Sequence, residues 1–307
     1  MRIFLAGATG VIGRPLLRRL LEASHEVTGT TRSEDRAAAI RAQGAKAAVL
    51  DAFDAEAVHG AVRAAAPEVV IHQLTDLPWK LDPRRFEQAI AGTNRLRRET
   101  VPTFVDAARA AGARRIVVQS ISFVLRPEGP WVQDESAPLA EGGPADAVKA
   151  MESVVLGAEG IDGLVLRYGF FYGPGTSYGP GGHLAGEVAR RRLPIVGSGE
   201  GRFSFVHVDD AVAATVLALD RGETGVYNVV DDEPVPAREW IPALAAAMGA
   251  KPPRHVPAWL AKLVVGPVVA QMLTQRGASN AKAKRELGFT PRFPSHREGF
   301  PAVFGAG

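Results

Sequence analysis

The chain has 307 residues, with 36 Lys and Arg against 33 Asp and Glu, giving a formal net charge of +3. At 46% hydrophobic and 22% charged residues it is too apolar for a disordered chain, and it is long enough for one large α/β unit or two coupled domains. The absence of cysteine excludes disulfides, iron–sulfur centres, thiolate metal sites and thiol nucleophiles, and a weak net charge without a long basic run argues against nucleic acid.

The opening run Met1-Arg2-Ile3-Phe4-Leu5-Ala6 stops at Gly7, too short for a targeting segment. Short β-branched runs then alternate with Ala- and Arg-rich helical patterns. Strands are predicted at 2–6, 26–30, 47–50, 69–72, 116–119, 164–167 and 203–207, and helices at 12–21, 34–43, 55–65 and 95–111. Strand, helix, strand at this spacing implies an α/β fold with a Rossmann-type doubly wound parallel sheet covered on both faces.

From Tyr172 to Gly182 the chain is dense in Gly and Pro and reads as a long ordered loop; beyond Asp231 it turns mostly helical. Residues 1–170, rejoined by 196–230, are therefore read as a dinucleotide-binding domain. Residues 171–195 and 231–307 form a smaller, mostly helical C-terminal substrate lobe. Such a lobe lies at the carboxyl ends of the strands, where open α/β sheets bind ligands. The nearest approach to a membrane span, 256–273, is broken by Pro257, Lys262, Gly266 and Pro267, well short of the ~20 apolar residues required. No membrane partner and a cytoplasmic setting are expected.

The most informative motif is Gly7-Ala8-Thr9-Gly10-Val11-Ile12-Gly13, which follows the first strand and opens the first helix. A tight glycine turn there brings backbone N–H groups and a helix N-terminus up to a diphosphate with no Cβ in the way. The spacing is GxxGxxG rather than GxGxxG. Gly7, Thr9, Gly10, Val11, Ile12 and Gly13 are the candidate cofactor contacts. The second strand leads into Thr31-Arg32-Ser33, where a carboxylate would grip a ribose diol; Arg32 suits the 2′-phosphate of NADP instead, and favours NADP over NAD. Arg32 also reads as a solvated surface arginine. Asp51, closing the third strand, can accept the adenine amino group or simply cap a turn.

With these residues in place, the chain resembles the extended short-chain dehydrogenase/reductases, the NAD(P)-dependent epimerase/dehydratase-like group. The resemblance spans nearly the whole chain. It rests on Gly7–Gly13, Asp51, Val70-Ile71-His72, Asn94, Leu166-Arg167-Tyr168, Tyr172-Gly173-Pro174-Gly175, Phe205-Val206-His207-Val208-Asp209-Asp210, and a closing segment from Asn280 to Pro291. It implies an oxidoreductase-like enzyme acting on a small organic carbonyl, alcohol or sugar derivative, and a homodimer, since extended members commonly pair.

In that family a Ser or Thr after the fifth strand and a Tyr-x-x-x-Lys helix perform the chemistry, the lysine binding the nicotinamide ribose and the tyrosine exchanging a proton as hydride moves. Here Lys149 stands at the lysine position and Ala145 at the tyrosine position. Ser120 and Ser122 flank Ile121, which itself falls in the hydroxyl register. Tyr168 and Tyr172 are candidate replacements for the missing acid, with His183 a third, though each also reads as packing or solvated. Asp146 projects about 100° away from residue 145 around the helix and is set aside. Arg202 and Arg190-Arg191-Arg192 offer positive charge for an anionic substrate; His72 and His207 read as packed histidines, and no metal-ligand spacing occurs. Two other readings account for Ala145: an isomerase, lyase or cyclase that uses the cofactor without net redox, and a regulator that senses cofactor occupancy.

Overall fold

The computed structural model describes residues 1–80, 85–266 and 268–305. Seven strands form one parallel sheet: β1 (Arg2–Ala6), β2 (Glu26–Thr31), β3 (Lys46–Val49), β4 (Val69–His72), β5 (Arg115–Ile121), β6 (Asp162–Tyr168) and β7 (Gly225–Val229). Their order is β7-β6-β5-β4-β1-β2-β3. The chain leaves β1 toward one edge and returns at β4 toward the other. A crevice therefore opens where β1 and β4 end side by side, with Ala6 opposite His72.

Side-chain alternation builds two apolar layers. Ile3 and Leu5 of β1 face α1 (Gly13–Glu22) through Leu16, Leu17 and Leu20. Phe4 and Ala6 face the other way, into Val58 and Val62 of α3 (Ala55–Ala65) and Phe104 of α5 (Val101–Ala110). Strand β4 is buried along its whole length, as a central parallel strand must be. The remaining flanking helices are α2 (Glu34–Arg41), α4 (Phe86–Arg95), α6 (Gly143–Leu156) and α8 (Val208–Leu217).

Two predictions are corrected. The segment 203–207 is not a strand of the main sheet. It splits at Ser204 into Arg202–Phe203, antiparallel to Val235–Pro236, and Phe205–His207, parallel to Phe170–Tyr172. The Ser204 hydroxyl accepts the Ala278 N–H at 2.8 Å, tying the break to a distant part of the chain. The seventh strand is Gly225–Val229, whose Val226-Tyr227-Asn228-Val229 run carries a β signal that the sequence reading passed over.

The helix predicted at 95–111 is also interrupted. A π-helical turn, Leu96–Thr100, separates α4 from α5. Pro102 follows and has no N–H to donate back along the helix, while the Thr100 hydroxyl donates to the Leu96 carbonyl at 2.7 Å.

The outer edge of β7 is closed by side chains. The Asn228 N–H donates to Glu135 Oε1 at 2.7 Å, and Lys282 Nζ donates to the Val226 carbonyl at 2.9 Å. The later segments gather around a third apolar cluster rich in aromatic rings, including Tyr172, Tyr178, Phe205, Trp240 and Phe300. They contribute α7 (His183–Ala189), α9 (Ala237–Ala247) and α12 (His296–Phe304), while α10 (Ala258–Val265) and α11 (Val268–Thr274) pack in a separate small cluster with Val196. Among the described residues, no helix is long and apolar enough to cross a membrane.

Candidate active site

At the end of β1, Gly7 turns the chain with φ of 90°, a region that favours glycine, and a Cβ there would lie 2.9 Å from the Gln73 carbonyl oxygen. The Gly10 N–H closes the turn on the Gly7 carbonyl at 3.0 Å. A Cβ on Gly13 would collide with that same carbonyl, so α1 packs directly on the turn. Gly10 has a different role: a Cβ there would meet only the Gly7 oxygen, at 3.4 Å, and the residue lines a cleft. The first turn of α1 has neither an acidic residue nor a capping side chain; the Arg14 N–H is taken by the Gly10 carbonyl at 3.1 Å and Pro15 has none, so the Gly13 N–H is the one left without an acceptor among the described residues. Ile12 is buried in the core and Val11 is exposed at the rim.

The cleft encloses about 270 Å³ between this turn, the end of β2 and the segment after β4. Thr9 and Gly10 form one wall. Thr30 holds the turn from behind, its hydroxyl accepting the Gly7 N–H at 3.2 Å. Arg32 lines the second wall and is joined by Arg36, which the sequence reading did not single out. Ser33 caps α2 by accepting the Arg36 N–H at 3.4 Å, and this places Arg36 one turn from Arg32. Glu34 pairs with Arg41, so neither Arg32 nor Arg36 has a carboxylate partner among the described residues. Asp51 accepts the Phe53 N–H at 3.1 Å, capping a turn while still lining the cleft. Arg95 lies over the Phe53 ring at 4.0 Å at the same mouth. These features fit a dinucleotide: a cradle that Cβ atoms would fill, a helix start with no acidic residue and a free Gly13 N–H, and two guanidiniums without a carboxylate partner among the described residues.

The other candidates lie in denser surroundings. Ser120 donates to Glu152 at 2.9 Å, and Glu152 also receives Arg167 through Nε at 2.8 Å and Nη2 at 2.6 Å. Ser122 is buried, with its N–H donated to the Tyr168 carbonyl at 2.9 Å. Lys149 has its side chain 40% exposed, 3.8 Å from Asp146. Ala145 sits in an apolar cluster with Leu125, Leu139, Val148 and Val230.

Tyr168 packs on the opposite face of the sheet from Ser120, in the layer that holds α1 and α8. Its hydroxyl lies between Thr215 at 2.6 Å and Gln73 at 3.2 Å, and burial pushes its pKa up to about 12. Tyr172 is fully buried in the aromatic cluster with no partner for its hydroxyl among the described residues, and burial, then the nearby Asp231, raises its pKa further. Ser120 and Lys149 thus share the α6 side of the sheet, and the two tyrosines stand apart from them.

His183 opens α7 and lines a separate open groove with Trp79 and Arg190. Arg190 and Arg192 flank Glu187 at 3.7 and 3.8 Å, and Arg202 donates to the Pro234 carbonyl at 3.3 Å. His207 caps α8, accepting the Asp209 N–H at 3.2 Å. His72 contacts Thr100 Oγ1 at 3.0 Å, and burial lowers its pKa to about 4.

Comparison with known proteins bears on the family and the fold. The sequence profile of the NAD dependent epimerase/dehydratase family matches residues 3–230. A protein from a Streptomyces species named 3-diazoavenalumate denitrifying reductase is 46% identical over 307 residues, covering 97% of this chain and 99% of its own. The fold matches the UDP-glucose 4-epimerase of Thermotoga maritima, solved with UDP-glucose, at a TM-score of 0.80, 20% identity and coverage of 99% and 98% of the two chains. It also matches a human epimerase-family protein solved with NADPH, at a TM-score of 0.76 and 20% identity over the full length of both chains.

Proposed function

The chain belongs to the NAD dependent epimerase/dehydratase family of nicotinamide-dependent enzymes, and from that premise we propose that it is an NADPH-dependent reductase for a small substrate whose reduction needs no proton from residue 145. The observation that carries this reading is Ala145, packed among Leu125, Leu139 and Val148 one turn before the half-exposed Lys149. Reducing a carbonyl places negative charge on oxygen, and a positioned acid at that oxygen is worth about 10²–10⁴-fold in rate. A diazo group has no such demand. In its arenediazonium form, hydride bonds to the ring carbon while the C–N electron pair leaves with dinitrogen; the hydride's charge cancels that of the diazonium, so no new oxyanion forms and no proton is needed. The name of the Streptomyces relative describes this class of reaction and supports it.

The nicotinamide supplies the hydride. The backbone N–H groups of the Gly7–Gly13 turn would hold the diphosphate, Asp51 the adenine, and Lys149 the nicotinamide ribose. Arg32, helped by Arg36, would take the 2′-phosphate in bidentate fashion, which selects NADPH over NADH. Ser122 is the better candidate to orient the substrate, because the Ser120 hydroxyl is already committed to Glu152.

The test supplies NADPH with an aryl diazo carboxylate, and in parallel with a panel of aldehydes and ketones. Loss of reduced nicotinamide matched by released dinitrogen, with deuterium from labelled NADPH found on the ring carbon, is the expected result. Turnover of carbonyls alone would overturn it in favour of carbonyl reduction with a proton from water. Tight binding without oxidation by any compound would favour the non-redox or sensing readings. Arg32→Asp is expected to shift preference from NADPH toward NADH by about tenfold or more, the worth of one charge-assisted contact.

A further inference from the structure

The π turn between α4 and α5 buries a cation that the fold does not neutralise. Leu96, Arg97 and Thr100 of this turn face inward. The extra residue that a π turn inserts brings a guanidinium into the interior from what reads in sequence as a basic helical face, Arg95 to Arg98. Arg97 is 7% exposed. Its one side-chain hydrogen bond among the described residues is long, from Nη1 to Asn94 Oδ1 at 3.4 Å.

The carboxylate that acts on Arg97 is Glu152, and that group is already engaged. Arg167 holds both its oxygens and Ser120 donates to one of them. Glu152 is therefore ion-paired to Arg167, and Arg97 feels its charge without an ion pair of its own among the described residues. An unpaired charge in a low-dielectric interior is costly, and burial duly lowers the pKa of Arg97 to about 10. Surplus buried charge of this kind marks places where a ligand brings the opposite sign.

The position of Arg97 agrees. Leu96 and Arg95, immediately before it, line the cofactor cleft together with Gln73. On the far side of the same turn, Thr100 contacts His72 at the end of β4 at 3.0 Å, and Glu152, whose charge acts on Arg97, lies one turn along α6 from Lys149. Arg97 thus lies in the chain between the cleft-lining Arg95 and Leu96 and Thr100, which touches the carboxyl end of β4. We propose that Arg97 is the anion-receiving residue of this site, its guanidinium taking an oxyanion that arrives with a ligand, either the diphosphate of the dinucleotide or the carboxylate of a small acid substrate. This assignment rests on the nicotinamide-dependent reading above.

The experiment compares wild type with Arg97→Met and Arg97→Lys by three measurements: thermal unfolding without ligand, NADPH affinity by fluorescence, and affinity of the unreactive acid 4-hydroxycinnamate for the NADP-loaded protein by calorimetry. Arg97→Met is expected to keep or raise the unliganded Tm, because it removes a surplus charge. It should weaken one of the two ligands by about tenfold or more, with Arg97→Lys recovering part of the loss. Weakened NADPH identifies the diphosphate as the anion; weakened 4-hydroxycinnamate identifies the substrate carboxylate. Affinities unchanged for both ligands, with a lowered Tm, would overturn the proposal and make Arg97 a structural partner of Glu152. If Arg97→Met does not fold, Arg97→Lys alone decides, since a lysine keeps the charge but loses the planar fork. Wild-type protein that binds no dinucleotide refutes the cofactor reading itself, whereas tight wild-type binding with unaltered variants refutes only the role of Arg97.

Discussion

At the glycine turn the polar groups face outward, toward a cleft; at the ends of β5 and β6 they face one another. Gly10, Thr9, Arg32 and Asp51 border open space and have few side-chain partners. Ser120, Glu152 and Arg167 close on themselves, and Tyr168 is held between Thr215 and Gln73. Polar groups that await a ligand remain unpaired toward solvent, while those that stabilise the protein satisfy one another out of water. By this criterion the first region has the open polar groups that the proposed cofactor site requires. The second is a scaffold that leaves Ser122, Lys149 and Arg97 as its outlets.

The largest test of this contrast is Glu152→Ala. It leaves Arg167 and Arg97 buried without a carboxylate, and a loss of about 3–5 kcal/mol in unfolding free energy is expected by denaturant titration. A loss below about 1 kcal/mol, the range of an exposed ion pair, would place this network on the outward-facing side of the comparison.

Acid should probe the same interior. His72 titrates near its ordinary value of 6.5 when unfolded and near about 4 in the fold, because burial disfavours its charged form. The unfolded chain therefore binds the extra proton between these two values. The contribution of His72 is complete above pH 6.5 and is lost as pH falls toward 4, up to roughly 3 kcal/mol. His72→Gln should flatten that limb of the stability curve, and an unaltered limb would show that other groups carry it.

The smallest effects should separate two glycines within the turn. Gly13→Ala forces a Cβ onto the Gly7 carbonyl and should cost about 1–3 kcal/mol of stability together with NADPH binding. Gly10→Ala has room for its methyl, so stability should stay within about 0.5 kcal/mol while NADPH binding weakens. If the two variants behave alike, the division between packing glycine and ligand glycine is wrong.

What was legible in the sequence follows the same line. The glycine turn could be read because a backbone constraint is local: Gly7, Gly10 and Gly13 carry it within seven residues. Arg32 was visible as the residue just past a strand end, but Arg36 emerged only once Ser33 was seen to cap α2. The commitments of Ser120 and Tyr168 were hidden because their partners lie 32 and 47 residues away. Strand 203–207 was misplaced because a β-branched and aromatic run signals extended chain without saying which sheet receives it. Arg97 was invisible for a further reason: in an uninterrupted helix it would belong to a solvated basic face, and only the π turn reverses it.

The capping of β7 by Glu135 and Lys282 has a consequence for assembly. An exposed strand edge is an open template, and chains that meet there aggregate or fuse into longer ribbons. Here a carboxylate and an ammonium already occupy the places a neighbouring backbone would need. Two copies that associate on that flank must do so through side-chain surfaces, and this edge is guarded against strand-to-strand pairing by two charges instead of by an eighth strand.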